Sequence, residues 1–313
     1  MSKIEWTNKT WNPIVGCSKC SPGCDNCYAE KMANRLACMS VKDDRSEMFR
    51  VDSKGKYAMV TNNGKWNGKT FFSEIDLNKP YQWKKPRMIF VCSMGDLFHE
   101  SVPFEWVNQV MAIIAICQQH TFQILTKRPE RMKQYFAPIG GTTRRDWVAS
   151  KMARKLNVST LKFPDWPLPN LWLGVTAENQ VMADKRIPIL LQIPAAIRFV
   201  SVEPMLGPVD IHPHGLSPDR PLLDWVICGG ETGHNARPIH CIWVQALKEQ
   251  CRLANVPFFF KSWGGKNKSN HRIDGIEYHQ FPNTKSMTFS LNTDHALLVT
   301  TPMGCPQTDH HNK

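Results

Sequence analysis

The chain has 313 residues, 42% apolar and 10% aromatic, enough to bury one large α/β barrel or two ordinary domains and too apolar for a disordered or fibrous protein. Lys and Arg total 39 against 27 acidic residues, and a formal charge of +12 favours polyanions as partners. Eleven cysteines would suit a small disulfide-rich secreted protein, but the chain is large and MSKIEWTNKTW is no apolar signal segment, so a reducing cytoplasm is expected; no stretch reaches the ~20 apolar residues of a membrane span.

Taken in chain order, a first strand is expected around Trp11–Val15, with cysteines in the turn that follows. Residues 39–85 interrupt the pattern with Lys, Asn and Gly, and NNG and WNGK within them read as hairpin turns of an insertion. Apolar runs then recur at Met88–Ser93, Thr121–Thr126, Leu171–Thr176, Ile197–Val202, Asp224–Gly229 and Val256–Lys261, giving about seven strands. Runs this apolar, without strict alternation, suit parallel strands covered on both faces. Helices are predicted over Phe104–Gln119, Asn179–Leu191 and Cys241–Ala254. A second insertion, 137–170, carries a basic helix candidate, TTRRDWVASKMARKL, before the proline-spaced FPDWPLPN; lid, substrate contact and surface decoration are all open to it. From residue 266 the pattern weakens into a C-terminal extension, 266–313. A doubly wound sheet would share the rhythm, but it would usually offer a glycine fingerprint where this chain has cysteines. The expected fold is therefore a complete or partial (β/α) TIM-type barrel over residues 1–265.

GCSKCSPGCDNCYAEKMA brings Cys17, Cys20, Cys24 and Cys27 together, and the Ser-Pro-Gly between them breaks any regular element. Such thiols converge on zinc, on a disulfide, or on an iron–sulfur cluster. Two C-x2-C knuckles only three residues apart are cramped for a zinc ribbon, disulfides do not suit a reducing compartment, and crowded short spacings are how ferredoxin-type runs wrap a 4Fe–4S cluster. Cys20-Ser-Pro-Gly-Cys24-Asp-Asn-Cys27 resembles the C-x3-C-x2-C signature of the radical S-adenosylmethionine superfamily. That resemblance implies three cysteine ligands, S-adenosylmethionine on the open iron, and an external electron donor such as flavodoxin or ferredoxin. In that chemistry the cofactor's sulfonium is cleaved to a 5′-deoxyadenosyl radical.

A longer set of motifs, IEWTNKTWNPIVGCSKCSPGCDNCYAEKMA, WKKPRMIFVCSMGDLFHE, TKRPERM, GVTAEN, RFVSVEPMLGPV, WVICGGETG and FFFKSWGG, resembles a phage-associated three-cysteine-motif family across most of residues 4–265. That family's pattern keeps cysteines at Cys17, Cys24 and Cys27, whereas the superfamily spacing starts at Cys20, so both remain candidates for the first ligand. The cluster-bearing segment is also similar to that of spore photoproduct lyase, a DNA repair enzyme, which with the basic charge implies a nucleic acid or nucleotide substrate for repair or modification. Two other readings stay open: a zinc-stabilised, non-catalytic nucleic-acid-binding or phage accessory protein, and a radical enzyme acting on a peptide or small molecule.

Barrel active sites gather at the carboxyl ends of strands, which makes the polar residues after each apolar run candidates. These are Ser93, Gly95 and Asp96 after the second strand, Asp96 lying where such enzymes usually clamp the methionine amino group, or else capping the following segment. Then come Thr126, Lys127 and Arg128; Thr176, Glu178 and Asn179; Glu203; Gly229, Gly230 and Glu231. Lys127, Arg128 and Glu203 are the candidates for catalysis, and Ser93, Gly95, Asp96, Thr126, Thr176, Glu178, Gly229, Gly230 and Glu231, with Glu203 again, for cofactor binding. Glu203 and Glu231 either contact a ligand or belong to internal ion pairs. Cys92 and Cys228 read as strand cysteines, more often core than hydrogen-atom donors. His99 and the His310–His311 pair lack the context of a second metal site, and the tryptophans suit packing or base stacking.

Overall fold

The computed structural model describes residues 4–40, 55–138, 167–214, 222–265 and 270–283, with isolated positions between 146 and 154. Seven strands form one parallel sheet: β1 (Lys9–Trp11), β2 (Met88–Val91), β3 (Thr121–Thr126), β4 (Leu171–Thr176), β5 (Ile197–Val202), β6 (Trp225–Cys228) and β7 (Phe258–Phe260). They lie side by side in chain order, each paired parallel with the next. Because β1 and β7 are the two ends of that row, the sheet is a half-barrel, the partial form of the expected architecture. Parallel neighbours need crossovers, and helices supply most of them: α1 (Tyr28–Ser40) lies between β1 and β2, α2 (Phe104–Ile116) between β2 and β3, and α3 (Pro129–Phe136) after β3. α4 (Gln180–Leu190) and α5 (Cys241–Leu253) precede β5 and β7.

Successive strand residues divide between two cores. Ile89, Val91, Val226, Cys228, Phe258 and Phe260 join the large core beneath the helices. Their neighbours Phe90, Trp225, Ile227 and Phe259 face the other way and pack with Trp6, Trp172 and Phe199 inside the half-barrel. Trp6 stands 4.7 Å from Phe90 and 6.2 Å from Trp225, and so plugs the floor with a residue from ahead of β1. On β4, a Cβ at Gly174 would stand 2.5 Å from the Phe199 ring, so glycine makes room for it.

The first strand differs from expectation. β1 stops at Trp11 because Pro13 has no N–H for a ladder, and the Asn12 Oδ1 atom turns to accept from the Met94 N–H (3.0 Å) and the Ser93 hydroxyl (3.2 Å). Ile14–Val15 instead pair antiparallel with Phe71–Phe72 of the insertion. The NNG turn forms as its residues predict: Asn63 (φ 48°) and Gly64 (φ 79°) join the antiparallel pair Thr61–Asn62 and Lys65–Trp66. Cys92 lies just past β2, at φ 56°, rather than inside the strand.

Residues 270–283, expected within an extension, pack back on the barrel. The Phe260 N–H donates to the Tyr278 carbonyl (2.7 Å) and the Gln280 N–H to the Phe258 carbonyl (3.2 Å). Trp225 Nε1 donates to the Gln280 carbonyl (2.8 Å), and Phe281 lies 5.3 Å from the Trp225 ring. The basic helix candidate falls almost wholly outside the described residues, as does His310–His311. No helix among the described residues is long and apolar enough to cross a membrane.

Candidate active site

A cavity of about 370 Å³ opens over the carboxyl ends of the strands. Cys17, Cys24 and Cys27 line it, and Cys20 does not. Of the residues expected after the strands, Ser93, Gly95 and Asp96, then Thr126, Lys127 and Arg128, and finally Thr176, Glu203, Gly230 and Glu231 line the same cavity. Glu178 and Gly229 do not.

The cysteine loop is seated by close backbone contact. Gly16 (φ +97°) donates its N–H to the Met94 carbonyl (3.1 Å), and a Cβ there would meet the Lys69 carbonyl oxygen at 2.3 Å. A Cβ at Gly95 would stand 3.0 Å from the Gly16 carbonyl oxygen, so loop and β2 end meet through two glycines. Pro22–Cys24 form a single 3₁₀ turn. Cys27 heads α1, its carbonyl accepting from the Lys31 N–H (3.3 Å). All four loop cysteines are free thiols, which leaves the disulfide reading without a pair. Burial pushes the Cys17 thiol up to about 12; the charge of Asp96 adds to this, Arg128 opposes it, and Cys27 and Cys24 add further. Cys20 and Cys24 share a hydrogen bond that lowers Cys24 to about 4 and raises Cys20.

Three arginine–carboxylate pairs, each reaching from a different strand end, grip this loop. After β2 and β3, Arg128 donates to Asp96 (3.1 Å), to the Ser18 carbonyl (3.1 Å) and hydroxyl (2.9 Å), and toward the Cys17 sulfur (3.7 Å). After β4, the fully buried Glu178 accepts from Arg186 (2.8 Å) and from the Gly23 N–H (3.1 Å). After β6, Glu231 accepts from Arg237 (2.6 Å) and from the Asn26 amide (2.9 Å), while Arg237 also donates to the Pro22 carbonyl (2.8 Å) and to Asp25 (3.2 Å). For Glu178, burial alone would raise the carboxyl, but Arg186 foremost holds it below its ordinary value. Glu231 is likewise held down, against burial, by its bonds from Arg237 and Asn26.

Asp96, expected to face a ligand, is therefore occupied within the protein. It also accepts from the Thr126 hydroxyl (2.8 Å), the Phe98 N–H (3.0 Å) and the Lys127 N–H (3.3 Å), the Phe98 contact being the capping role. Asn179 caps α4, accepting from the Met182 N–H (3.0 Å). Gly229 and Gly230 serve close packing: a Cβ at Gly230 would lie 2.2 Å from the Trp263 carbonyl oxygen. His99 lies between Ser18 (2.8 Å) and Ser101 (2.9 Å). Cys228 faces Met205 Sδ (3.8 Å) in the outer core, whereas Cys92 lines the cavity. Glu203 and Lys261, paired with each other, also line the cavity, as does Lys127, whose side chain has no ion-pair partner among the described residues.

A cluster held through three cysteines binds each at a different iron, so the thiols must surround a common space rather than meet on one ion. Cys17, Cys24 and Cys27 do so: they share the cavity and lie near enough for the charges of Cys24 and Cys27 to oppose ionisation of Cys17. Among the described residues no group of three or more His, Cys, Asp or Glu stands close enough together to hold a metal ion. Three thiols facing one cavity are donors of the kind that a 4Fe–4S cluster takes. Arg186, Arg237 and Asn26 were not among the residues that the sequence singled out. Glu178 and Glu231 precede Arg186 and Arg237 by eight and six residues, but the cysteine loop that they grip, Asn26 included, lies far off in the sequence, and only basic character marks the two arginines.

No curated protein and no solved structure matches the chain. The sequence model of DUF5131, described as a protein of unknown function, matches residues 1–288, from the N-terminal plug through the strand ends to the segment that covers the floor. The chain therefore belongs to the DUF5131 family.

Proposed function

We propose that this protein is a radical S-adenosylmethionine enzyme whose 4Fe–4S cluster is held by Cys17, Cys24 and Cys27, and that it acts on nucleic acid or a nucleotide in repair or modification. The observation that carries the reading is the sorting of the four loop thiols: three line one cavity above the carboxyl ends of parallel strands, and Cys20 lies outside it. When bound, the cluster and S-adenosylmethionine supply a 5′-deoxyadenosyl radical, with the electron drawn from an external donor such as flavodoxin or ferredoxin. The chain's own residues hold and shield the site. The three arginine clamps fix the loop, and Arg128 places a positive charge beside the Cys17 sulfur. Lys127 offers a cation to an anionic group, and Glu203 with Lys261 offers a polar wall after β5 and β7. Asp96 acts by orienting Arg128. The net charge of +12 favours a polyanionic substrate.

Oxygen-free reconstitution with iron and sulfide tests this. A brown protein absorbing near about 400 nm is expected, forming 5′-deoxyadenosine when given dithionite and S-adenosylmethionine. Cys17→Ala, Cys24→Ala and Cys27→Ala should each abolish iron retention, while Cys20→Ala keeps it. Equal loss from all four would overturn the three-ligand assignment, and a colourless chain that retains zinc would point to the non-catalytic binding protein.

A further inference from the structure

Helix α1 leads away from the cavity, and its two faces are unlike. Ala29, Ala33 and Ala37 are buried against Val15, Tyr57, Val60 and Met94. The opposite face carries Tyr28, Met32, Arg35 and Met39, spaced by four, three and four residues and so aligned in one stripe. Tyr28, Met32 and Met39 are 49%, 43% and 47% exposed, a large apolar surface for a helix whose other side is already satisfied. The stripe is continuous with the cavity, since Tyr28 and Met32 line both, and Trp66 of the hairpin joins them at the lip. Charge runs beside it: Lys31 and Arg35 are exposed and make no ion pair among the described residues. The only acid in the described part of α1, Glu30, is turned inward and accepts the Trp66 N–H (2.9 Å).

Resting on the reading above, we infer that this stripe is a track for single-stranded nucleic acid, with Tyr28, Met32, Met39 and Trp66 meeting bases and Lys31 and Arg35 meeting phosphates on the way to the cavity. Flat and polarisable side chains beside cations are what sequence-tolerant strand binding uses, because every base has a stacking face and every nucleotide a negative charge. An apolar peptide would use the methionines but leave the unpaired cations without a role, and a bilayer could use both but could not follow the stripe into a cavity of about 370 Å³. From Tyr28 to Met39 the helix rises about 16 Å, so a mononucleotide in the cavity cannot also reach Met39 at the far end of the stripe. The substrate is accordingly a polymer, with the nucleotide to be changed drawn out of any stack into the cavity.

Fluorescence anisotropy on the full chain with a labelled single-stranded oligonucleotide of about twelve nucleotides, as DNA and as RNA, tests the track. Iron is not needed for this readout, so its outcome is separate from the success of cluster assembly. Binding should tighten as salt falls, and mononucleotide should compete far more weakly than the strand. The double variant Lys31→Glu/Arg35→Glu should weaken binding about tenfold or more and reduce the slope of log affinity against log salt by about 1.4, or about 0.7 for each phosphate that is no longer neutralised. The control Lys84→Glu/Lys85→Glu removes the same charge near the amino end of β2, away from the mouth, and should stay within about twofold. Unchanged melting temperatures would show that both variants fold. Equal weakening by the two double variants, equal competition by a duplex, or binding that ignores length would overturn the track. Failure to form 5′-deoxyadenosine would sink the enzyme reading while leaving these measurements to stand.

Discussion

Asp96 lines the cavity, yet its oxygens are taken by Thr126, Phe98, Lys127 and Arg128. Glu178 and Glu231 repeat the theme, so three acids that look like ligand contacts in the sequence fasten the cysteine loop instead. The sequence marks such acids as needing partners, but not which: Arg186 is eight residues from Glu178, and Arg128 is 32 from Asp96. Which of Cys17 and Cys20 faces the cavity was likewise hidden, because spacing allows either and only the fold of the loop places Cys17 there. Removing one partner of the buried Glu178–Arg186 pair leaves an uncompensated charge, so Arg186→Ala should cost about 3–5 kcal/mol in urea unfolding. The carboxyls of Glu178 and Glu231 are lowered by folding and so stabilise the native state at neutral pH. That contribution is present above the unfolded-chain value of about 4.3 and is lost as the pH falls through the lower folded values. Thermal melts between neutral pH and about pH 3 should show a steep acid-side drop, made shallower in a Glu178→Gln/Arg186→Met variant.

At the level of elements, six of the seven barrel strands were legible because each is a short apolar run ended by polar or glycine residues, and α2, α4 and α5 fall where amphipathic segments predict them. The exception is the first strand, where Pro13 and the Asn12 side chain divide one expected strand between the barrel and the insertion. α3 and the buried face of α1 were missed, α1 because its inner positions are alanines that weaken the apolar signal. The glycines after β6 follow from how closely elements approach. Gly230 faces the Trp263 carbonyl, and Gly264 (φ +80°) faces the Glu231 carbonyl, each at 2.2 Å from an added Cβ. Gly230→Ala should therefore cost about 1–3 kcal/mol by overpacking, seen as a lower urea midpoint, and should loosen the Glu231 clamp. Gly275→Ala, with nothing within 4 Å of its Cβ, pays only for its positive φ and should cost about 1 kcal/mol.

Across the whole molecule, the inner aromatic core is the least anticipated feature. Strands apolar on both faces do not announce which face holds the rings, and Trp6 and Phe281 come from segments outside the sheet. Trp225 touches Trp6, Trp172, Phe199, Phe259 and Phe281. Trp225→Ala should cost about 3–5 kcal/mol, and loss of residues 270–283 should lower the melting temperature by exposing the same rings.

The chain order of the seven strands also bears on synthesis. Each newly emerging strand finds its neighbour already present, so the sheet can accrete on the ribosome from the amino end without waiting for distant segments. The floor cannot: Trp6 leaves the exit tunnel ahead of β1, and Phe281, which seals the ring stack, comes more than 270 residues later. Throughout that interval the nascent chain carries an open apolar interior, the stage at which a chaperone that shields aromatic surface would matter most.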